Sequence, residues 1–271
     1  MEKKRVVIDF DGTVTVLDEE AVQFREAFIQ EMARRLGLNI ERLRSSMENA
    51  EAVVRQFPET YGWKSNGIIV APAVSDPYLL TQASARLILE SEQPRTGWPA
   101  EIDFDKFLGE LFTYAYGFSG TCFKPYARFF IESLSIRADL TVVTNSGTEK
   151  VDAKITSLLG SGHGIKIIGN AKKYQLGVVS NKLPVRVQIS GLNRPVYPQR
   201  DNYYKILESL KPDRVIGDSW ELDLALPMFL GIPTVLALSE RTPNWEVAVC
   251  TSRNSFVSGS LLEILDHILG C

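Results

Sequence analysis

The chain has 271 residues, with 45% hydrophobic and 23% charged residues and a formal net charge of -3. That is enough apolar chain to bury a core, so a disordered polypeptide is excluded, and the acidic balance argues against a dedicated nucleic-acid binder. Cys122, Cys250 and Cys271 are scattered without a CxxC pair, which excludes a disulfide scaffold or a zinc knuckle and fits a reducing cytoplasm.

In chain order, the first element is the run Arg5 to Phe10, β-branched and continuous, as in a strand buried on both faces of a parallel sheet. Asp9 and Asp11 interrupt this run too early for a signal peptide, and no stretch of about 18 apolar residues follows, so no membrane span is expected. Residues 19–120 change character. Val22, Phe24, Phe28 and Met32 fall at helical spacing, Asn39 to Phe57 repeats that pattern, Asp76-Pro77 reads as an N-cap with Pro at the first helical position, and Asp103 opens a further helix. This block is expected to be a helical cap inserted into a core made of residues 1–18 and 121–271. Tyr61 to Gly67 is expected to be a helix connection, with a substrate loop as its other reading.

Beyond the insert the β-α rhythm resumes. Leu140 to Thr144, Arg214 to Ile216 and Thr234 to Leu238 are short buried-strand runs with helix-like segments beside them. Between Gly160 and Pro198 the pattern is irregular. Val178-Val179 and Val185 to Ile189 flank Asn181-Lys182, which predicts a β-hairpin. The fold class is therefore α/β, a Rossmann-like parallel sheet with an inserted helical domain.

Three of these strands end in polar residues that carry chemistry. The first ends in Asp9-Phe10-Asp11-Gly12-Thr13, two acids on one side of an extended segment, a pairing that a hard cation such as Mg²⁺ would relieve. The second ends in Thr144-Asn145-Ser146-Gly147 before a helix, where hydroxyl, amide and helix N-terminal N–H groups can cradle phosphate, although a simple helix cap would look the same. The third ends in Gly217-Asp218-Ser219, with Asp223 five residues beyond Asp218. Asp218 can complete a metal site and Asp223 can support it. His163 and His267 have no partner at ligand spacing and are read as structural or solvated.

Taken together, the DxDGT strand end, the strand-terminal Thr144 and the GDSxxxD segment resemble the haloacid dehalogenase superfamily, over about 150 residues of core. Lys124-Pro125-Tyr126 and Gly231 to Val235 are similar to stretches of that family, and the insert falls where its C1-type cap lies. The resemblance implies a magnesium-dependent phosphatase acting on a small phosphorylated metabolite, with Asp9 as nucleophile and Asp11 as general acid/base. It implies Mg²⁺ at Asp9, Asp11 (through its carbonyl) and Asp218, phosphate at Gly12, Thr144, Asn145 and a basic residue, and a cap that closes over the substrate. For the basic residue Arg200 is the first choice, with Arg194 second and Lys205 expected on the surface. Asp11 argues against dehalogenation. A sugar phosphomutase, a phosphonate hydrolase using Lys64 or Lys106, and a non-catalytic binding protein are the other readings that fit the same fold.

Overall fold

The computed structural model describes residues 3–92 and 103–270; Cys271 lies outside them. Its elements in chain order are β1 (Lys4–Ile8), α1 (Leu17–Leu36), α2 (Ile40–Gln56), β2 (Gly62–Ser65), β3 (Ile68–Pro72), α3 (Pro77–Glu92), α4 (Phe104–Tyr116), α5 (Ala127–Arg137), β4 (Ala138–Val143), α6 (Thr148–Leu159), β5 (Lys166–Ile168), β6 (Val187–Gln188), β7 (Pro195–Val196), α7 (Asp201–Leu210), β8 (Arg214–Gly217), α8 (Ala225–Phe229), β9 (Thr234–Ala237), α9 (Asn244–Ser252), β10 (Phe256–Ser258) and α10 (Leu261–Leu269). Among the described residues no helix is long and apolar enough to cross a membrane.

Two compact units emerge. The first takes the chain up to Val16, the short segment Lys64–Ala71, and everything from Phe123 onward. It is built on a six-stranded sheet in the order β10-β9-β8-β1-β4-β5, parallel at every pairing. The strands read as unbroken apolar runs because both faces are covered. Val6 and Ile8 point to a layer formed by α5, α6 and α10, through Phe130, Leu134, Val151, Ile155, Ile264 and Ile268. Val7 points the other way, toward Tyr203, Leu207, Trp220 and Leu224. Sequence order reverses at β1: the next two sheet strands lie on one side of it and the last three on the other. That is the place in an open α/β sheet where a crevice forms at the carboxyl ends.

The second unit, Leu17–Trp63 and Pro72–Cys122, is helical. Phe24, Phe28 and Met32 of α1 meet Leu43 and Met47 of α2, Ile88 and Leu89 of α3, and Leu108 and Leu111 of α4 in one core. Asp76 and Asp103 cap the helices they were expected to open, and Asn39 caps α2. Asn39 Oδ1 accepts from Arg42 N at 3.0 Å, Asp76 Oδ1 from Tyr78 N at 2.8 Å, and Asp103 Oδ1 from Lys106 N at 3.1 Å. Val22, grouped with the apolar stripe in the sequence, is 58% exposed.

Two local expectations are corrected. The segment read as a helix connection is a β-hairpin, β2 and β3 joined by Asn66-Gly67 with φ of 52° and 77°. Two successive positive φ values suit a type I′ turn, and Asn-Gly is the sequence that adopts it. Conversely, no hairpin forms around Asn181-Lys182. β6 pairs instead with β7 across Gly191, and of the apolar residues that suggested strands Val178 and Val185 are 84% and 68% exposed while Ile189 is buried in the core.

Candidate active site

The carboxyl ends of β1, β4 and β8 lie side by side, and each delivers one group of the candidate site. Asp9 directly follows β1. Its backbone N–H donates to Ile216 O at 2.8 Å, which pins it to β8, and only 8% of the residue is exposed. Asp218 directly follows β8. Carboxylate oxygens of Asp9, Asp218 and Asp223 lie within 4.8 Å of one another.

Asp223 arrives there because a π-helical turn, Trp220–Leu224, folds back over the end of β8. Its Oδ2 accepts from Ser219 N at 3.1 Å. Gly217 makes room for it: a Cβ at that position would sit 2.3 Å from Asp223 Cβ. The glycine of the GDS segment is therefore a packing requirement.

One ammonium ties the acids together. Lys173, 1% exposed, donates to Asp9 Oδ1 and to Asp223 Oδ1, both at 2.7 Å. Its loop is held by Asn145, whose Oδ1 accepts from Lys173 N at 2.8 Å, and turns at Lys172 with φ of 48°. Burial opposes the charge on Lys173, but Asp223 and Asp9 hold its ammonium above the ordinary lysine range. For Asp9, burial outweighs the attraction of Lys173 and pushes the carboxyl up to about 7. Burial, with Asp223 and Asp9 nearby, also pushes Asp218 well above the usual carboxylate range. Burial lowers Lys124, whose Nζ donates to Leu238 O at 3.1 Å, against the pull of Asp218 and Asp9.

These side chains fit a hard divalent cation. Three carboxylates against two ammoniums leave negative charge uncompensated, and a carboxylate pushed up by its neighbours is relieved by a cation. Asp223 is engaged by Lys173 and Ser219 N, and Asp9 Oδ2 accepts from Thr13 Oγ1 at 3.3 Å. Among the described residues Asp218 accepts no hydrogen bond. Asp9 and Asp218 are thus the side chains that would hold the ion, with oxygen donors of the kind Mg²⁺ takes.

Asp11 stands next to this cluster without joining it. Its Oδ1 accepts from Lys154 Nζ at 2.9 Å and its Oδ2 from Thr144 Oγ1 at 3.4 Å. Gly12, with φ of 83°, lets the chain turn after Asp11, and its N–H donates to Thr15 Oγ1 at 3.1 Å. Thr144 also accepts from Ser146 N at 3.1 Å, so its hydroxyl is fixed toward Asp11.

Arg200 is not brought to the carboxylates. It is 1% exposed, and Nη2 donates to Val70 O at 2.9 Å and Glu221 O at 3.3 Å. Burial lowers its guanidinium to about 10, against the pull of Glu221. It clamps the β2–β3 hairpin to the turn after β8, which is a structural task. Arg194 forms a two-pronged pair with Glu221 at 2.7 and 2.5 Å, and Lys205 is on the surface with Asp201 at 3.0 Å. The basic residue at the acids is Lys173, which the sequence reading did not single out. Its Lys-Lys-Tyr context carries no periodicity or motif that separates a buried lysine from a solvated one.

Cys250 is buried, and burial pushes its thiol up to about 12. The Cys122 thiol is pushed up to about 11 by its hydrogen bond to Glu19. His267 stacks on Phe256 at 4.1 Å, and His163 Nε2 lies 3.2 Å from Asp152 Oδ1.

This is the haloacid dehalogenase fold. Solved structures that share it over nearly the whole chain include a predicted phosphoglycolate phosphatase from Haemophilus somnus (16% identity, TM-score 0.55, 99% of each chain). A HAD-type hydrolase of Bacillus subtilis, solved bound to magnesium, is similar at 12% identity and TM-score 0.55 over 100% of each chain. A HAD phosphatase from Thermococcus onnurineus is similar at 16% identity and TM-score 0.51 over 98% of each chain. No family model and no curated protein sequence matches the chain.

Proposed function

We propose that the protein is a magnesium-dependent phosphatase of a small phosphate monoester, working through an aspartyl-phosphate on Asp9. The observation that carries this is the division of labour between two acids two residues apart. Asp9 lies with Asp218 and Asp223 around one ammonium, while Asp11 is held outside that cluster by Lys154 and Thr144. A nucleophile and a separate proton carrier are what a two-step displacement needs. The magnesium-bound Bacillus hydrolase and the phosphatases that share the fold support the same reading.

In the first step a carboxylate oxygen of Asp9 attacks phosphorus, and the bond to the leaving oxygen breaks as Asp11 gives that oxygen its proton. In the second, water attacks the phosphorus of the aspartyl-phosphate while Asp11 takes a proton from it. The bond to Asp9 then breaks, returning the carboxylate and releasing inorganic phosphate. Lys173 keeps Asp9 aimed and offsets charge that gathers on the phosphoryl oxygens. When bound, Mg²⁺ supplies a positive centre that draws phosphate oxygens to Asp9 and keeps its carboxylate ionised near neutral pH. Thr144 and Asn145 stand at the edge of this region as candidate phosphate contacts, and the helical unit is the candidate cap that selects the leaving group.

Asp9→Asn should abolish turnover. Asp11→Asn should slow an alkyl phosphate by about 10²–10⁴-fold and an activated aryl phosphate by less. Rapid quench with labelled substrate followed by peptide mapping should place the label on Asp9. Label on another residue, or hydrolysis that persists in Asp9→Asn, overturns the assignment.

A further inference from the structure

Lys154 takes no chemical step in the mechanism above, yet its place is specific. It lies on α6 and is 5% exposed, in a stretch of helix that also buries Val151 and Ile155 completely. Its ammonium donates to Asp11 Oδ1 at 2.9 Å and lies 5.9 Å from the centroid of the Phe10 ring.

Taking a lysine head out of water is costly unless the charge is met by a partner, and breaking such a buried pair leaves an uncompensated charge. A solvated lysine on the outer face of α6 would avoid that cost. Asp11, for its part, sits beyond the end of β1, where no strand pairing fixes its backbone. Its side chain is oriented by two contacts: Thr144, 3.4 Å from Oδ2, and the shorter one from Lys154. α6 is anchored in the sheet's helical layer, so Lys154 offers Asp11 a fixed point on a rigid element.

We propose that Lys154 is a positioning residue for the general acid/base: it sets the side-chain orientation of Asp11 and touches neither the phosphoryl group nor the metal. This rests on the phosphatase reading above. Its consequence is selective. A residue acting only through Asp11 matters most where the leaving oxygen most needs a proton, and matters not at all once Asp11 cannot deliver one.

The test compares Lys154→Met, of similar length but uncharged, with Lys154→Arg, which keeps the cation, each alone and in Asp11→Asn. Substrates are 4-nitrophenyl phosphate, with an activated leaving group, and glycerol phosphate, with a poor one. Lys154→Met should lower kcat on glycerol phosphate by about tenfold or more and on the aryl ester by clearly less. Lys154→Arg should recover much of that loss, and Lys154→Met should add nothing in the Asp11→Asn background. Lys154→Gln, which keeps a donor at that depth, carries the same comparison if Lys154→Met does not fold. Equal losses on both substrates, or losses that multiply with Asp11→Asn, overturn the proposal. Crystal structures of the wild type and Lys154→Met give a readout independent of activity. Asp11 should leave its wild-type rotamer in the variant, and an unmoved Asp11 overturns the positioning role. A wild type that hydrolyses neither ester defeats the phosphatase reading instead, and the crystal comparison still decides whether Lys154 orients Asp11.

Discussion

Lys173 and Arg200 are each 1% exposed, yet their heads go to different kinds of acceptor. Lys173 meets two carboxylates, while Arg200 meets two backbone carbonyls. Removing a cation from between two buried acids leaves them uncompensated, which typically costs about 3–5 kcal/mol. Losing hydrogen bonds from a guanidinium to carbonyls costs about 1.5–3 kcal/mol each, and no acid is stranded. Lys173→Met should therefore unfold at clearly lower urea and lose most of its inhibition by orthovanadate, a phosphate analogue. Arg200→Met should lose stability but keep vanadate affinity within about threefold, a shift worth less than 1 kcal/mol. Urea titration paired with vanadate inhibition separates the two. Weaker vanadate binding in Arg200→Met at unchanged stability would return the phosphate role to Arg200.

At the scale of elements, what the sequence made legible was whatever one strand or helix determines by itself. β1, β4, β8 and β9 were readable because each is a continuous apolar run, α1 and α2 from the spacing of their apolar residues, and α3 and α4 from the acids that open them. Asp9, Thr144 and Asp218 were readable because each lies at such a run's end. The edge strand β10, of three residues, is too short to announce itself, and β5 falls in the stretch after Gly160 whose pattern is irregular, although it pairs with β4 in the core sheet. Asn66-Gly67 is a sequence that favours a type I′ turn, a signal that the reading of this segment as a helix connection did not use. Lys173 was illegible for a different reason: it reaches Asp9 across 164 positions of sequence, and only the fold makes that contact. The turn after β8 gives a test at this scale. In Gly217→Ala the new methyl would meet Asp223 Cβ at 2.3 Å and Oδ2 at 2.7 Å. Asp223 would have to move, and the Lys173 bridge with it. Overpacking of this kind costs about 1–3 kcal/mol. The variant should melt lower and lose turnover together, and a fully active Gly217→Ala would show that the position of Asp223 is not critical.

For the whole molecule, a parallel sheet whose order reverses at β1 gathers acids from strands far apart in sequence into one buried place. The fold therefore bears a charge cost that a bound cation would remove, and the cost depends on pH in a defined direction. Asp9 titrates near 7 in the folded chain, against an ordinary value of 3.8. Because the folded value is the higher one, its contribution to stability is fully present below about pH 4 and is lost as pH rises through about 7. The metal-free protein should lose stability over that window. On the magnesium proposal, protons and Mg²⁺ would compete for the same carboxylate oxygens, so stabilisation by Mg²⁺ should run the other way, small at about pH 5.5 and larger at about pH 8. An ion present at about a hundred times its dissociation constant adds about 2.7 kcal/mol. Thermal unfolding at the two pH values, with and without saturating MgCl₂ and with NaCl matching the ionic strength, measures this directly. The Mg²⁺ increment should grow with pH in the wild type and vanish in both Asp9→Asn and Asp218→Asn. An increment that is equal at both pH values, or that survives loss of either acid, would place the ion elsewhere on the molecule and remove the charge argument for a metal at the end of β1.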